Sequence, residues 1–185
     1  MDIVNLSMLF EVFMEVQVGE IVLYGTEGIC KMLGTEEKRF GADALMYYVL
    51  ESQSKGSRIF VPFANQTLVD RIRKPLAEDE MKNLLESFHT LCDLDWIEND
   101  RERKAFHAAM VANGKSSDLL VLMKTVQNRR AKMESIGKKL YAHDDRAYRE
   151  ARALFVSEMM LSLNVNEQTA NELLYQTWEA LGVTE

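Results

Sequence analysis

Asp95-Trp96-Ile97-Glu98-Asn99-Asp100-Arg101-Glu102-Arg103-Lys104 is the stretch at which the chain changes character. Short runs of β-branched and aromatic residues precede it, and only helical periodicities follow. Trp96 stands here among acidic neighbours with basic residues just beyond, and no apolar stripe at helical spacing passes through position 96 to bury it. Two readings are open. An aromatic ahead of a helix often folds back over the first turns as a staple. A tryptophan outside any apolar stripe is equally a candidate binding residue.

Outward from that stretch, the N-terminal side is β-rich. Val18 to Tyr24 reads as a strand, Gly25-Thr26-Glu27-Gly28 as a tight turn, and Ile29 to Thr35 as the returning strand. A polar loop with Gly41 leads to Met46–Leu50, a turn at Gly56 leads to Arg58–Phe63, and Leu68–Ile72 offers a last short strand. Pro62 lacks an amide donor, which places its strand at a sheet edge. Four or five short strands in about sixty residues predict a small, strongly bent sheet or barrel.

The C-terminal side is helical throughout. Leu76 to Leu91 has acidic residues in its first turn and a stripe of Met81, Leu84, Leu85 and Phe88, although Ala77 is a poor cap. Arg101 to Val111 is a helix stopped by Asn113-Gly114, and Ser116 caps a longer one. Asp144 or Asp145 caps the next, whose apolar part Ala153–Leu163 marks the centre of a second core. The last helix, from about Asn166, buries Ala170, Leu173, Leu174, Thr177, Trp178 and Leu181 at helical spacing and ends at Gly182. The expected class is therefore α+β, with residues 1–16 as an extension of unassigned role, 17–75 β-rich and 76–185 helical.

Of 185 residues, 47% are apolar and 28% charged, the composition of a folded soluble chain rather than a disordered one. Net charge is −7, which taken whole argues against nucleic acid. The charge is segregated, however: residues 101–152 hold thirteen Lys or Arg against six Asp or Glu, leaving nine against twenty-three elsewhere. A basic segment in an acidic chain is either a phosphate-binding surface or a set of solvated helix faces. Cys30 and Cys92 form no CxxC and have no paired histidines, so reduced thiols in a cytoplasmic protein are expected. The apolar run Met8–Met14 lacks the build of a signal peptide, and no stretch spans a membrane. His89, His107 and His143 are scattered and no catalytic or nucleotide motif occurs; His143-Asp144-Asp145 reads as a helix start rather than a metal cluster. Neither an enzyme, a cofactor, a metal nor a small-molecule substrate is expected.

The ordered set Gln17–Gly28, Tyr47-Tyr48-Val49-Leu50, Ile59-Phe60-Val61-Pro62 and Arg73-Lys74-Pro75-Leu76 resembles the N-terminal module of the CarD/CdnL transcription regulators. The same module occurs as the polymerase-interacting domain of transcription-repair coupling factors. Trp96, Asn113-Gly114 and Glu150–Glu158 resemble the family's helical C-terminal module, so the likeness runs from about Gln17 to Asn164. It implies a Tudor-like β-module that binds the β subunit of bacterial RNA polymerase. It also implies a helical module that contacts promoter DNA upstream of the −10 element, where a tryptophan wedges into the minor groove and stabilises the open complex. Trp96 matches that wedge. Proximity adds Arg101, Arg103 and Lys104 as phosphate contacts, with Lys138 and Lys139 behind them. The path from Trp96 to Asn113-Gly114 is about four residues longer than in many members, and Arg58 is the cation nearest a position where many carry a polymerase-binding arginine. Lys38, Arg39, Arg58 and Phe60 are the expected polymerase-facing residues. The alternative is an adaptor that binds polymerase without productive DNA contact, favoured by Glu98, Asp100 and Glu102 beside Trp96.

Overall fold

The computed structural model describes residues 16–40 and 43–179. The chain divides into two compact units between Lys74 and Pro75. The apolar run Met8–Met14, Gly41 and the helix stop expected at Gly182 lie outside the described residues.

The first unit is an antiparallel sheet of β1 (Ile21–Tyr24), β2 (Gly28–Phe40), β3 (Asp43–Ser52), β4 (Arg58–Pro62) and β5 (Ile72–Arg73), with a short helix α1 (Gln66–Val69) before β5. Strand order is β4-β3-β2-β1-β5. One face carries the core, in which Val22, Cys30, Met32, Tyr48, Leu50 and Val61 are buried together with Val69 and Ile72. Each large apolar side chain removed from water there contributes roughly 1.5–3 kcal/mol. Tyr48 lies against Phe63 with ring centroids 4.0 Å apart. The β2–β3 ladder slips by one residue between Met32 and Gly34. Gly34 sits at φ +130°, a conformation that residues with a side chain rarely adopt, so glycine supplies the backbone freedom the bulge uses.

Two local expectations change. The polar residues Glu36 to Arg39 are not loop but strand, paired in register from Glu36↔Tyr47 to Arg39↔Ala44. Their ladder needs only backbone partners, so a run without apolar alternation still extends the hairpin. Leu68 lies in α1 rather than a strand, because Asn65 caps that turn by accepting a hydrogen bond from the Leu68 amide at 3.2 Å. The last strand is only Ile72–Arg73, paired with β1.

The second unit comprises α2 (Glu78–Glu86), continued by a 3-10 turn (Ser87–Thr90), then α3 (Asp100–Asn113), α4 (Ser116–Glu134), α5 (Ala142–Leu163) and α6 (Glu167–Glu179). Helix α5 is the hub, packed against α2, α3, α4 and α6. The core gathers Met81, Phe88, Leu119, Leu122, Met123, Val126, Phe155, Met159, Leu174 and Trp178. Trp178 is buried edge-on to Phe88 at 4.8 Å, as its place in an apolar stripe predicts. Gly114 stops α3 at φ 64°, its amide bonded to the Met110 carbonyl.

Two expected caps do other work. Ser116 is buried and donates its hydroxyl to Glu158 Oε2 at 2.8 Å, with Lys115 at the cap position. Asp144 is the third residue of α5 and points inward, with Tyr141 at the cap position. Glu158, itself fully buried, also accepts the Leu76 amide through Oε1 at 3.1 Å. It thereby ties the approach to α2 and the start of α4 to α5. Glu158→Gln retains shape but turns one acceptor into a donor facing a donor. Leaving a buried polar group unsatisfied costs about 1–3 kcal/mol, so chemical denaturation should show that loss in the helical unit's transition.

Candidate functional site

Trp96 lies in the irregular segment between the 3-10 turn and α3, half-buried rather than free or enclosed. Its ring is approached by the guanidinium carbons of Arg103 at 4.6 Å and Arg129 at 4.7 Å, and His107 meets it edge-on at 6.2 Å. Cation–π contacts of this kind contribute from about 0.5–1 kcal/mol when exposed to about 2 or more when desolvated. The indole borders a cleft of about 240 Å³ whose other walls include Arg129, Lys132, Met133, Ile136, Lys138 and Tyr141. Ile136 and Tyr141 are exposed. The cleft thus joins apolar planes to a cationic rim, interrupted by Glu98 and Asp100.

Beneath Trp96 is a polar core. Arg103 is 1% exposed and Asp144 fully buried. Arg103 Nε donates to both carboxylate oxygens of Asp144 at 3.1 and 3.2 Å. Nη1 donates to the carbonyls of Ile97 and Glu98 at 2.7 and 3.3 Å. Nη2 donates to Asp100 Oδ1 at 2.5 Å and lies 3.1 Å from His143 Nε2. Burial opposes the guanidinium's charge, but the bonds to Asp144 and Asp100 outweigh it and raise its pKa above the ordinary arginine value. His107 Nδ1 is 3.3 Å from Asp144 Oδ1 without the alignment of a hydrogen bond. Burial pushes the His107 pKa below its ordinary value; Asp144 opposes that shift while Arg103 and His143 reinforce it.

On the sheet, the face opposite the core carries Lys38, Arg58 and Phe60, while Arg39, next to Lys38 along β2, alternates to the other face. Lys38 Nζ sits 3.0 Å from the centroid of Phe60, and Tyr47 meets Phe60 edge-on at 6.3 Å. Arg58 is exposed. Arg39 is exposed and paired with Glu37 at 2.8 Å, a solvent-screened surface pair that adds little to stability. Strand β4 is the sheet's edge, so Pro62 stands where its missing donor predicts. The bonds from Phe63 N–H to the Met46 carbonyl and from Ser52 N–H to the Ser57 carbonyl set the alternation of this ladder. Ile59 and Val61 turn their backbone groups to β3, and Arg58, Phe60 and Pro62 turn theirs outward.

Residues 16–74 match the family model of the CarD-like/TRCF RID domain. The N-terminal unit is a CarD-like module. Such a domain is an RNA polymerase-interacting, protein-binding module, so polymerase interaction is the property this unit brings to the chain. No curated protein matches the chain. The CarD-like module carries no grouping of three or more His, Cys, Asp or Glu arranged for a metal, nor does the helical unit, among the described residues. No described helix is long and apolar enough to cross a membrane. Cys30 is buried in the module's core, its thiol pushed up to about 11 by burial, and Cys92 is exposed and unpaired.

Of the residues singled out in the sequence, Trp96 and Lys138 come together at the cleft, whereas Arg101, Lys104 and Lys139 are exposed but do not line it. Arg103 is the correction: a buried guanidinium whose donors are all engaged within the fold is not available to a phosphate. Arg129, Lys132 and Tyr141 join the cleft without having been singled out. The first two lie within the basic segment, but their facing Trp96 depends on α4 packing and has no local signal.

The lowered His107 pKa has a directional consequence. The unfolded chain takes up its proton near the ordinary value of 6.5, before the folded state does, so the stability contributed by neutral His107 is present above that pH and lost as pH falls through the lower folded value. Thermal melts from pH 7.5 to 5 should show declining stability, with a shallower decline in His107→Gln.

Proposed function

We propose that the chain is a non-enzymatic bacterial transcription regulator of the CarD type. Its β-module docks on the polymerase β subunit, and its helical unit holds promoter DNA at the upstream edge of the −10 region to stabilise the open complex. The observation that carries the DNA half is Trp96, half-buried on an irregular segment beside a cleft rimmed by Arg129, Lys132 and Lys138. An apolar plane set against a base step holds unstacked DNA, and cations beside it hold phosphates. Arg101, Lys104 and Lys139 extend that basic surface. The setting implied is cytoplasmic. Tethering to polymerase raises the local DNA concentration, so a weak intrinsic affinity suffices.

The polymerase half is supported by the outward backbone of Arg58 and Phe60 on an edge strand, beside the Lys38–Phe60 contact. Strand addition uses such an edge, and nearby cations speed encounter with an acidic partner. A second reading has its own observation: Glu98 and Asp100 also border the cleft, and they repel phosphates. On that reading the chain is an adaptor that binds polymerase without productive DNA contact.

Promoter opening separates the two. Trp96→Ala should cost the fold less than the roughly 3–5 kcal/mol of a core aromatic, because the ring is only half-buried, and should shorten open-complex lifetime. An unchanged lifetime favours the adaptor. Neutralising Arg101, Lys104 and Lys138 should flatten the salt dependence of DNA association by about one log–log unit for each phosphate no longer held. For the module, reversing the charges of Lys38, Arg39 and Arg58 together should weaken binding to the isolated β-subunit lobe with circular dichroism unchanged. Undiminished affinity would place the polymerase-binding surface elsewhere.

A further inference from the structure

We infer that Arg103 is a positioning residue that presents Trp96, acting as a clamp between the buried Asp144 of α5 and the backbone that follows the tryptophan. The value of this role to the protein rests on the reading of Trp96 as a DNA wedge; the clamp itself is a matter of geometry. Residues 91–99 have no regular secondary structure, so helix or sheet bonds do not fix Trp96. The Arg103 guanidinium does so in three ways. Its Nη1 holds the carbonyls of Ile97 and Glu98, the two residues immediately after Trp96. Its Cζ lies over the indole, 4.6 Å from the ring centroid. Its Nε and Nη2 are in turn held by Asp144, Asp100 and His143.

The fork geometry is what the site uses. A guanidinium presents five donors in one rigid plane and also stacks on an aromatic. An ammonium at the end of a lysine neutralises Asp144 but has neither the planar fork nor the stacking face. Arg103 therefore differs from an ordinary buried ion pair, whose work is finished once the carboxylate is neutralised. The other cation near the ring, Arg129, has a much looser anchor, a 3.8 Å approach to Glu98, itself 80% exposed. Ahead of the tryptophan the segment is held to α4 at Leu94 by Thr125 and at Asp93 by Asn128; at the ring and just after it, the anchored cation is Arg103.

The test uses the full chain and two variants. Arg103→Lys keeps the charge opposite Asp144, and Arg103→Met combined with Asp144→Leu removes the pair without leaving a lone buried charge, an exchange that buried pairs often tolerate. Acrylamide quenching of tryptophan emission is read alongside helicity and melting temperature. Trp178, buried in the core, contributes little to the quenched fraction. The clamp predicts that in each folded variant Trp96 emission shifts to the red and its quenching constant rises severalfold, with helicity retained and open-complex lifetime reduced toward that of Trp96→Ala. Unchanged emission and quenching in a folded variant would overturn the inference. So would loss of the whole helical unit in both variants, since Arg103 would then be holding the fold and not the segment. If Trp96 is released while neither these variants nor Trp96→Ala alter promoter opening, the clamp stands and the DNA reading falls.

Discussion

The setting of Trp96 turns on one buried charge pair. Arg103 and Asp144 are together almost wholly removed from water, and desolvating both ions costs several kcal/mol that only close, saturated bonding offsets. Here the bonding is saturated: the guanidinium has acceptors on α3, on α5 and on the segment ahead of α3. Removing either partner alone would strand the other, at a cost of about 3–5 kcal/mol. A chain that could have filled this space with leucine instead keeps a polar knot, and the knot lies directly under the half-buried tryptophan.

The sheet solves a different problem with its two faces. Strict alternation along β3 and β4 turns Tyr48, Leu50 and Val61 to the core and leaves Tyr47 and Phe60 on the other side. An aromatic pair outside the core would be a liability were it bare. Lys38 Nζ lies directly over Phe60, so its charge rests against the aromatic face as a cation–π contact. Apolar area and charge are thus available in one place to a protein partner.

How much of this was legible in the sequence follows from the range of the forces. Turns, stops and stripes are local, so the hairpin at Gly25–Gly28, the stop at Gly114 and the burial of Trp178 could be read directly. Pro62 at a sheet edge was equally readable, because a missing donor has only one comfortable place. Glu36 to Arg39 misled because ladder bonds are made by backbone and leave no mark on side-chain pattern. Arg103 misled for a deeper reason. A basic residue at the start of a charged helix looks solvent-facing, and only the inward turn of Asp144, some forty residues on, makes it a core residue. The cleft likewise needed α4 to bring Arg129 and Lys132 to face Trp96.

A strand laid along the outer edge of β4 meets donors from Arg58 and Phe60 but only a carbonyl from Pro62. A visitor shifted along the edge would leave one of its own carbonyls facing the pyrrolidine ring, dry and without a partner. The edge therefore discriminates between alignments as well as between partners. It is also a poor template for stacking like upon like, since every added copy would carry the same gap in its ladder.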